Sequence, residues 1–291
     1  MVPPWVDGRT KLLGLIGKGI GHTLSPLIHN ESMRKLGLSG LYVPFDCPAG
    51  FPRSYFFEVL WDMGALGFNV TVPYKEAAAL QFSTSSPPLL SINTLYRGPN
   101  GWLSASTDGP GFMLALSRLG RKVEDFSACI FLGNGGAALA LRDSLQKEHN
   151  ELPHFVLRRN PSRDELWRKE SRVELNFRDF SASELQKVLT RFPRSLLLQT
   201  TSAPLQGEPL EELAAVMDER FQGVLIDLVY GSPSALISRA KSLNIPCQDG
   251  VSMLVGQAIF AQKLWWGLAG DFDELELLVR RAVQGLSERK S

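Results

Sequence analysis

The chain has 291 residues, 44% hydrophobic and 21% charged, a soluble globular composition whose length exceeds one ordinary core and predicts two domains. Its net charge of +1 leaves no basic excess for nucleic acid or an anionic membrane, so the expected partner is a small molecule. Cys47, Cys129 and Cys247 are odd in number and lack CxxC spacing, which argues against a disulfide framework or a zinc site and fits a reducing cytoplasm.

Met1 to Lys11 carries charges and two prolines ahead of any apolar run, unlike a signal peptide or a membrane span. Lys11 to Ile16 reads as a strand, Gly17 to Gly21 as a flexible loop, and Pro26 to Leu36 as a helix stopped at Gly37. A strand at Leu41 to Phe45, a helix at Ser54 to Met63, a strand at Gly67 to Val72 and a helix at Tyr74 to Gln81 follow, an alternation that predicts a parallel sheet. Ser91 to Tyr96 and Trp102 to Ser106 flank Arg97-Gly98-Pro99-Asn100-Gly101 and read as a hairpin that closes the first domain.

Pro110 to Leu119, with proline in its first turn and Gly120 beyond its end, is predicted as a bridging helix. Ser127 to Leu132 is then a buried strand, Ala137 to Lys147 a helix and His154 to Arg158 the next strand. Apolar runs at Leu196 to Gln199 and Val224 to Leu228 extend that sheet around a helix near Leu210 to Asp218. Met253 to Trp266 is apolar nearly all round, so it is expected to be a buried helix and the last long one.

Two stretches carry the chemistry. In Gly67-Phe68-Asn69-Val70-Thr71-Val72-Pro73-Tyr74-Lys75, strand alternation puts Asn69 and Thr71 on one face and Val70 and Val72 toward the core, and Pro73 ends the pairing so that Lys75 stands at the strand's end. Gly133-Asn134-Gly135-Gly136-Ala137-Ala138 follows a strand and opens a helix, where glycines admit a pyrophosphate to backbone N–H groups and to the helix dipole. One strand later stands Arg158-Arg159-Asn160-Pro161-Ser162-Arg163 instead of the acidic residue that would hold an NAD ribose. Guanidinium groups suit a 2′-phosphate, which predicts NADP, although the same arginines also read as a solvated loop.

Further polar groups sit at predicted element ends. Ser25 before Pro26 reads as a helix N-cap as readily as a ligand-binding hydroxyl, whereas Thr23 has no such structural role. Asn93 ends an apolar strand, Asp108 either caps the following helix or serves a site, and Gln257 shares a helix face with Met253, Ala261 and Leu264. His22, His29, His149 and His154 show no metal-ligand spacing, and G-x-S-x-G is absent, so no metal and no serine hydrolase is expected.

Taken in order, these segments resemble the shikimate dehydrogenase family along nearly the whole chain. Thr23 to Pro26 is similar to its S-x-S-P, Asn69 to Lys75 to N-V-T-x-P-x-K, Asn93-Thr94 to N-T, and Ser106 to Gly109 to N-T-D-G. Gly133 to Ala137 matches G-x-G-G-A, Asp227 to Tyr230 D-x-x-Y, and Asp249 to Ala258 D-G-x-x-M-L-x-x-Q-A. The resemblance implies an α/β fold with an N-terminal α/β substrate domain (1–107 plus 250–291), a Rossmann-type NADP-binding domain (108–249) and a catalytic cleft between them. It implies NADP-dependent interconversion of 3-dehydroshikimate and shikimate, a cytoplasmic step toward aromatic compounds, by a monomer or homodimer.

By the same resemblance Lys75 and Asp108 form the catalytic pair, with Thr23, Ser25, Asn69, Thr71, Asn93, Tyr230 and Gln257 around the substrate. Gly133, Asn134, Gly135, Gly136, Ala137, Arg159, Asn160, Arg163, Thr201 and Gly250 fall to the cofactor. The chain departs from the family in Thr23 for the usual Ser, Ser106 for Asn, and Arg158-Arg159-Asn160 for N-R-T. The first departure keeps quinate and aminoshikimate open as substrates; a non-catalytic NADP-binding sensor is the reading from another class.

Overall fold

The fold is taken from a computed structural model that describes residues 6–83, 85, 88–231 and 234–288. The chain divides into two compact units, Met1–Gly111 with Leu254–Arg281, and Phe112–Met253 with Ala282–Ser291.

The first unit opens with β1 (Lys11–Gly17), α1 (Ser25–Lys35), β2 (Gly40–Asp46), α2 (Ser54–Asp62), β3 (Gly67–Val70), α3 (Lys75–Phe82), β4 (Thr94–Arg97) and β5 (Trp102–Ala105). Their sheet runs β2-β1-β3-β4-β5, with β1 parallel to both neighbours and β4 and β5 added antiparallel as the hairpin. Side chains of β1 alternate between two cores: Leu12 and Ile16 join Phe57, Leu60 and Phe68, while Leu13 and Leu15 join Tyr42 and Trp265.

Helix α4 (Asp108–Arg118) leads into the second unit: β6 (Ala128–Leu132), α5 (Gly136–Glu148), β7 (His154–Arg158), α6 (Asp164–Arg168), β8 (Leu175–Asp179), α7 (Ala182–Arg191), β9 (Ser195–Gln199), α8 (Glu211–Ala215), β10 (Val224–Asp227), α9 (Ala235–Ser242) and β11 (Cys247–Gln248). All six strands are parallel, and the sheet grows outward from β6, through β7 to β8 on one side and through β9 and β10 to β11 on the other. Strand β6 is buried throughout; Cys129 and Phe131 feed one core and Ala128, Ile130 and Leu132 the other, as a sheet covered by helices on both faces demands. The chain closes with α10 (Val251–Trp266) and α11 (Phe272–Glu288).

Helix α10 is buried along most of its length and pinned to the first sheet, because Trp265 Nε1 donates to the Leu95 carbonyl at 2.9 Å and the ring lies over Gly67. It is not the last long helix: α11 adds 17 residues, with Leu275 and Val279 buried. Two local expectations are also corrected. Strand β3 ends at Val70, since the Tyr74 N–H folds back to the Thr71 carbonyl at 2.9 Å; Val72 therefore points outward and is 60% exposed. Ser25 opens α1 as its first residue and does not cap it, the N-cap position falling on Leu24.

Candidate functional site

In the first unit the turn after β3 places Lys75 at the start of α3, and the segment before β4 runs back beside it, with the Ile92 N–H donating to the Lys75 carbonyl at 3.1 Å. Lys75 Nζ donates to Asp108 Oδ2 in an ion pair whose side chains are only 12% and 6% exposed. Asn93 Nδ2 holds the other carboxylate oxygen of Asp108 at 2.9 Å and also reaches Thr107 Oγ1 at 2.9 Å and Gln257 Oε1 at 3.4 Å. The Asn93 side-chain oxygen Oδ1 is fixed in turn by the Thr107 N–H at 2.7 Å. Both oxygens of Asp108 are thereby engaged, and the carboxylate can neither rotate nor leave the lysine without breaking a buried hydrogen bond.

Gln257 reaches this cluster because α4 and α10 touch backbone to backbone. A Cβ on Gly111 would lie 2.4 Å from the Gln257 nitrogen, and one on Gly256 would lie 2.7 Å from the Gly111 carbonyl oxygen. Any larger side chain at either glycine would push the amide away from Asn93.

The network continues to Asn69. Its Nδ2 donates to the Asn93 carbonyl at 3.1 Å and to Thr94 Oγ1 at 3.0 Å, and its Oδ1 accepts from the Tyr42 hydroxyl at 2.8 Å. Burial pushes the Tyr42 phenol well above its usual range, with Ser25 acting weakly the other way, so Tyr42 stays a neutral donor. Thr23 Oγ1 donates to Ser25 Oγ at 3.2 Å and accepts from the Ser25 N–H at 3.3 Å, a local turn that gives Thr23 the structural role the sequence did not show. Thr71 sits just past β3 with its methyl over Gly17. The structure thus brings Lys75, Asp108, Asn93, Gln257 and Asn69 into one hydrogen-bonded set. Tyr42, Thr94 and Thr107 tie it together; Thr94 and Thr107 stand in the sequence reading only inside the N-T and N-T-D-G matches, without a role, and the register Asn69↔Thr94 across β3 and β4 supplies one for Thr94.

In the second unit Gly133-Asn134-Gly135 connects β6 to α5 where β6 has parallel neighbours on both sides, the switch point at which doubly wound sheets bind ligands. Gly133 has φ +111°, and a Cβ there would lie 2.6 Å from the Thr201 methyl. Around Gly135 an added Cβ would meet nothing within 4 Å, so the backbone is open on that side. Helix α5 begins at Gly136 with no side chain capping it, and Ala138 is buried against the sheet. Open backbone, an uncapped 13-residue helix and a small residue at the packing position fit a pyrophosphate.

The loop is braced by its neighbours. Asn134 Nδ2 donates to the Asn160 carbonyl at 2.8 Å, and the Asn134 carbonyl accepts from Arg163 Nε at 2.9 Å and Trp167 Nε1 at 3.1 Å. Thr200 Oγ1 donates to the Leu132 carbonyl at 2.8 Å, and Thr201 Oγ1 to Gln199 Oε1 at 2.9 Å. Asn160 uses its own Oδ1 to cap the turn at Ser162, whose N–H lies 3.0 Å away. Among the arginines, Arg158 is drawn inward by Asp164 at 3.0 Å and the Arg178 carbonyl at 3.0 Å, whereas Arg159 is half exposed, stacked on Phe180 and paired with Glu208.

Tyr230 and Gly250 also belong to this unit. Tyr230 follows β10, where buried Asp227 holds the turn by accepting from the Val229 N–H at 2.9 Å and the Ser234 hydroxyl at 2.6 Å; burial raises the Asp227 carboxyl above its usual range. The Leu228 carbonyl fills the space where a side chain on Gly250 would stand. Among the described residues no group of three or more His, Cys, Asp or Glu can hold a metal ion, and no helix is long and apolar enough to cross a membrane.

Three comparisons bear on these arrangements. A family model described as the shikimate dehydrogenase substrate binding domain matches residues 15–88. The NADP(+)-dependent shikimate dehydrogenase of Caldanaerobacter subterraneus is 33% identical over 280 residues, covering 92% of this chain and 96% of its own, and that of Nostoc sp. is 31% identical over 278 residues, covering 89% and 92%. The crystal structure of shikimate 5-dehydrogenase from Thermus thermophilus, in complex with NADP(H) and shikimate, matches with a TM-score of 0.78 at 28% identity over 94% of this chain and 99% of that one.

Proposed function

The chain belongs to the shikimate dehydrogenase family, and on that premise we propose that Lys75 and Asp108 are the catalytic pair of an NADP-dependent interconversion of 3-dehydroshikimate and shikimate. The observation that carries this reading is the buried Lys75–Asp108 pair, held by Asn93, which in turn meets Gln257. Hydride exchange at a carbinol carbon is the chemistry that the nicotinamide supplies when bound. Reduction leaves charge developing on the ketone oxygen, and Lys75 offers two further N–H donors beyond the one directed at Asp108. Lys75 therefore hydrogen-bonds that oxygen and hands over the proton. Asp108, fixed by Asn93, aims the ammonium and accepts from the substrate hydroxyl.

Gln257, with one amide N–H beyond that given to the Leu254 carbonyl, faces the remaining hydroxyls, Asn93 serves by fixing Asp108 beside them, and the hydroxyls of Thr23, Ser25 and Thr71 suit a carboxylate. Asn69, with its donors committed to Asn93 and Thr94, serves this site through the carbonyl oxygen or by holding its neighbours. On the cofactor side, Gly133 to Ala137 would hold the pyrophosphate, and Arg159 with Arg163 the 2′-phosphate. Cys47, Cys129 and Cys247 are free thiols, which suits a reducing cytoplasm.

The test is a spectrophotometric assay of the purified protein with shikimate and with quinate, each paired with NADP and with NAD. Rapid nicotinamide reduction with shikimate and NADP is the expected result. Quinate as the faster substrate would reassign the ligand at Thr23, and cofactor binding without turnover in any pairing would replace the enzyme reading with that of a sensor.

A further inference from the structure

Arg159 does not stand alone. Its guanidinium lies 4.4 Å from the Phe180 ring centroid and donates from Nη2 to Glu208 Oε1, which comes from the loop ahead of α8. Both side chains are about half exposed, at 51% and 49%. A cavity of about 640 Å³ opens beside the pair, lined by Arg159, Phe180, Glu208, Leu210, Glu211 and Glu212 among others, so the arginine shares its surroundings with three carboxylates.

We propose that Glu208 is a specificity-determining residue that competes with the cofactor's 2′-phosphate for Arg159 and so holds the preference for NADP over NAD below what the arginine alone would confer. The inference rests on the assignment of Arg159 to the 2′-phosphate made above. A phosphate dianion that takes the guanidinium must either displace the Glu208 carboxylate or share the guanidinium with it, and in both cases it settles near Glu211 and Glu212, against like charge. The 2′-hydroxyl of NAD asks for neither. It leaves the ion pair intact, and a carboxylate at this end of the sheet is the kind of group that accepts from ribose hydroxyls. One pair therefore handicaps one cofactor and tolerates the other. Because the pair is open to solvent, its effect is moderate, on the order of a fivefold change in affinity.

The decisive measurement is calorimetric titration of the full chain and of its Glu208→Gln and Arg159→Gln variants with NADP and, separately, with NAD. Glu208→Gln should bind NADP about fivefold more tightly with NAD unchanged or weaker, and the gain should shrink as salt screens the carboxylate. Arg159→Gln should lose NADP affinity selectively. An unchanged ratio in Glu208→Gln, or weaker NADP binding, with Arg159→Gln still selective would overturn the role of Glu208 while leaving Arg159 in place. Equal losses of NADP and NAD in Arg159→Gln would overturn the assignment of Arg159 itself, and the inference with it.

Discussion

Lys75 sits where three constraints meet: the turn that ends β3, the start of α3 and the carboxylate of Asp108. Removing its ammonium leaves Asp108 buried with Asn93 and without its counter-charge, and under the proposed mechanism it takes away the proton donor while leaving the glycine loop of the second unit untouched. Lys75→Ala is expected to lower kcat by on the order of 10²–10⁴, the usual worth of a positioned acid. NADP affinity, measured calorimetrically, should stay within about twofold of the native value. Retained turnover would remove Lys75 from the mechanism. Although the alternation read through Thr71 and Val72 fails, since β3 stops at Val70, the place of the lysine just past a strand was legible in the sequence because Pro73 announces the strand's end. Tyr42 was not, because nothing in its own segment says that its hydroxyl ends on Asn69, 27 residues away. Glu208 is hidden for the same reason: its partner Arg159 is 49 residues back in the chain.

Among elements, the β6–α5 connection is the one whose geometry demands particular residues. At φ +111° Gly133 occupies backbone space that L-residues avoid, and the Thr201 methyl already fills the place of a Cβ. Gly133→Ala should distort the loop, weaken NADP by more than about tenfold and lower stability by about 1–3 kcal/mol, read by calorimetry and by thermal unfolding. Native affinity in that variant would show that the dinucleotide does not depend on this loop. Elements bounded by glycine or proline were readable for this reason: the β4–β5 hairpin, α1, α4 and the β6–α5 loop all carry such punctuation. Helix α7 was missed although Ser181 caps it by accepting from the Glu184 N–H at 3.3 Å, a Ser-x-x-Glu signal present in the sequence. Strand β8, half-buried along most of its length at the edge of its sheet, lacks the apolar run that betrays a central strand, and β11 is only two residues long.

On the scale of the whole molecule, each unit encloses one buried histidine that must stay neutral. His29, 1% exposed and stacked on Tyr42 at 4.3 Å, lies in the first unit; His154, fully buried with its ring against Phe131 at 5.4 Å, lies in the second. Burial pushes both down to about 3, aided at His154 by the charge of Arg142. An unfolded histidine takes up its proton near pH 6.5, so between that value and about 3 the unfolded chain holds one more proton at each position. The contribution is therefore complete above pH 6.5 and is lost on acidification, at about 1.4 kcal/mol per pH unit for each histidine. Asp227, whose carboxyl is raised by burial, acts with the opposite sign above pH 3.8, and because it does so equally in the native chain and in a histidine variant it cancels when the two are compared between pH 7 and 5. Over that interval urea denaturation should show a loss of about 2 kcal/mol for each histidine whose unit unfolds in the transition followed. His154→Phe, which keeps an aromatic ring against Phe131, should abolish that share for the second unit while leaving the share of His29 intact. A slope identical to that of the native chain would mean that His154 is protonated in the folded state, and that its burial among Phe131, Trp167 and Arg142 does not exclude charge as the packing of that core requires.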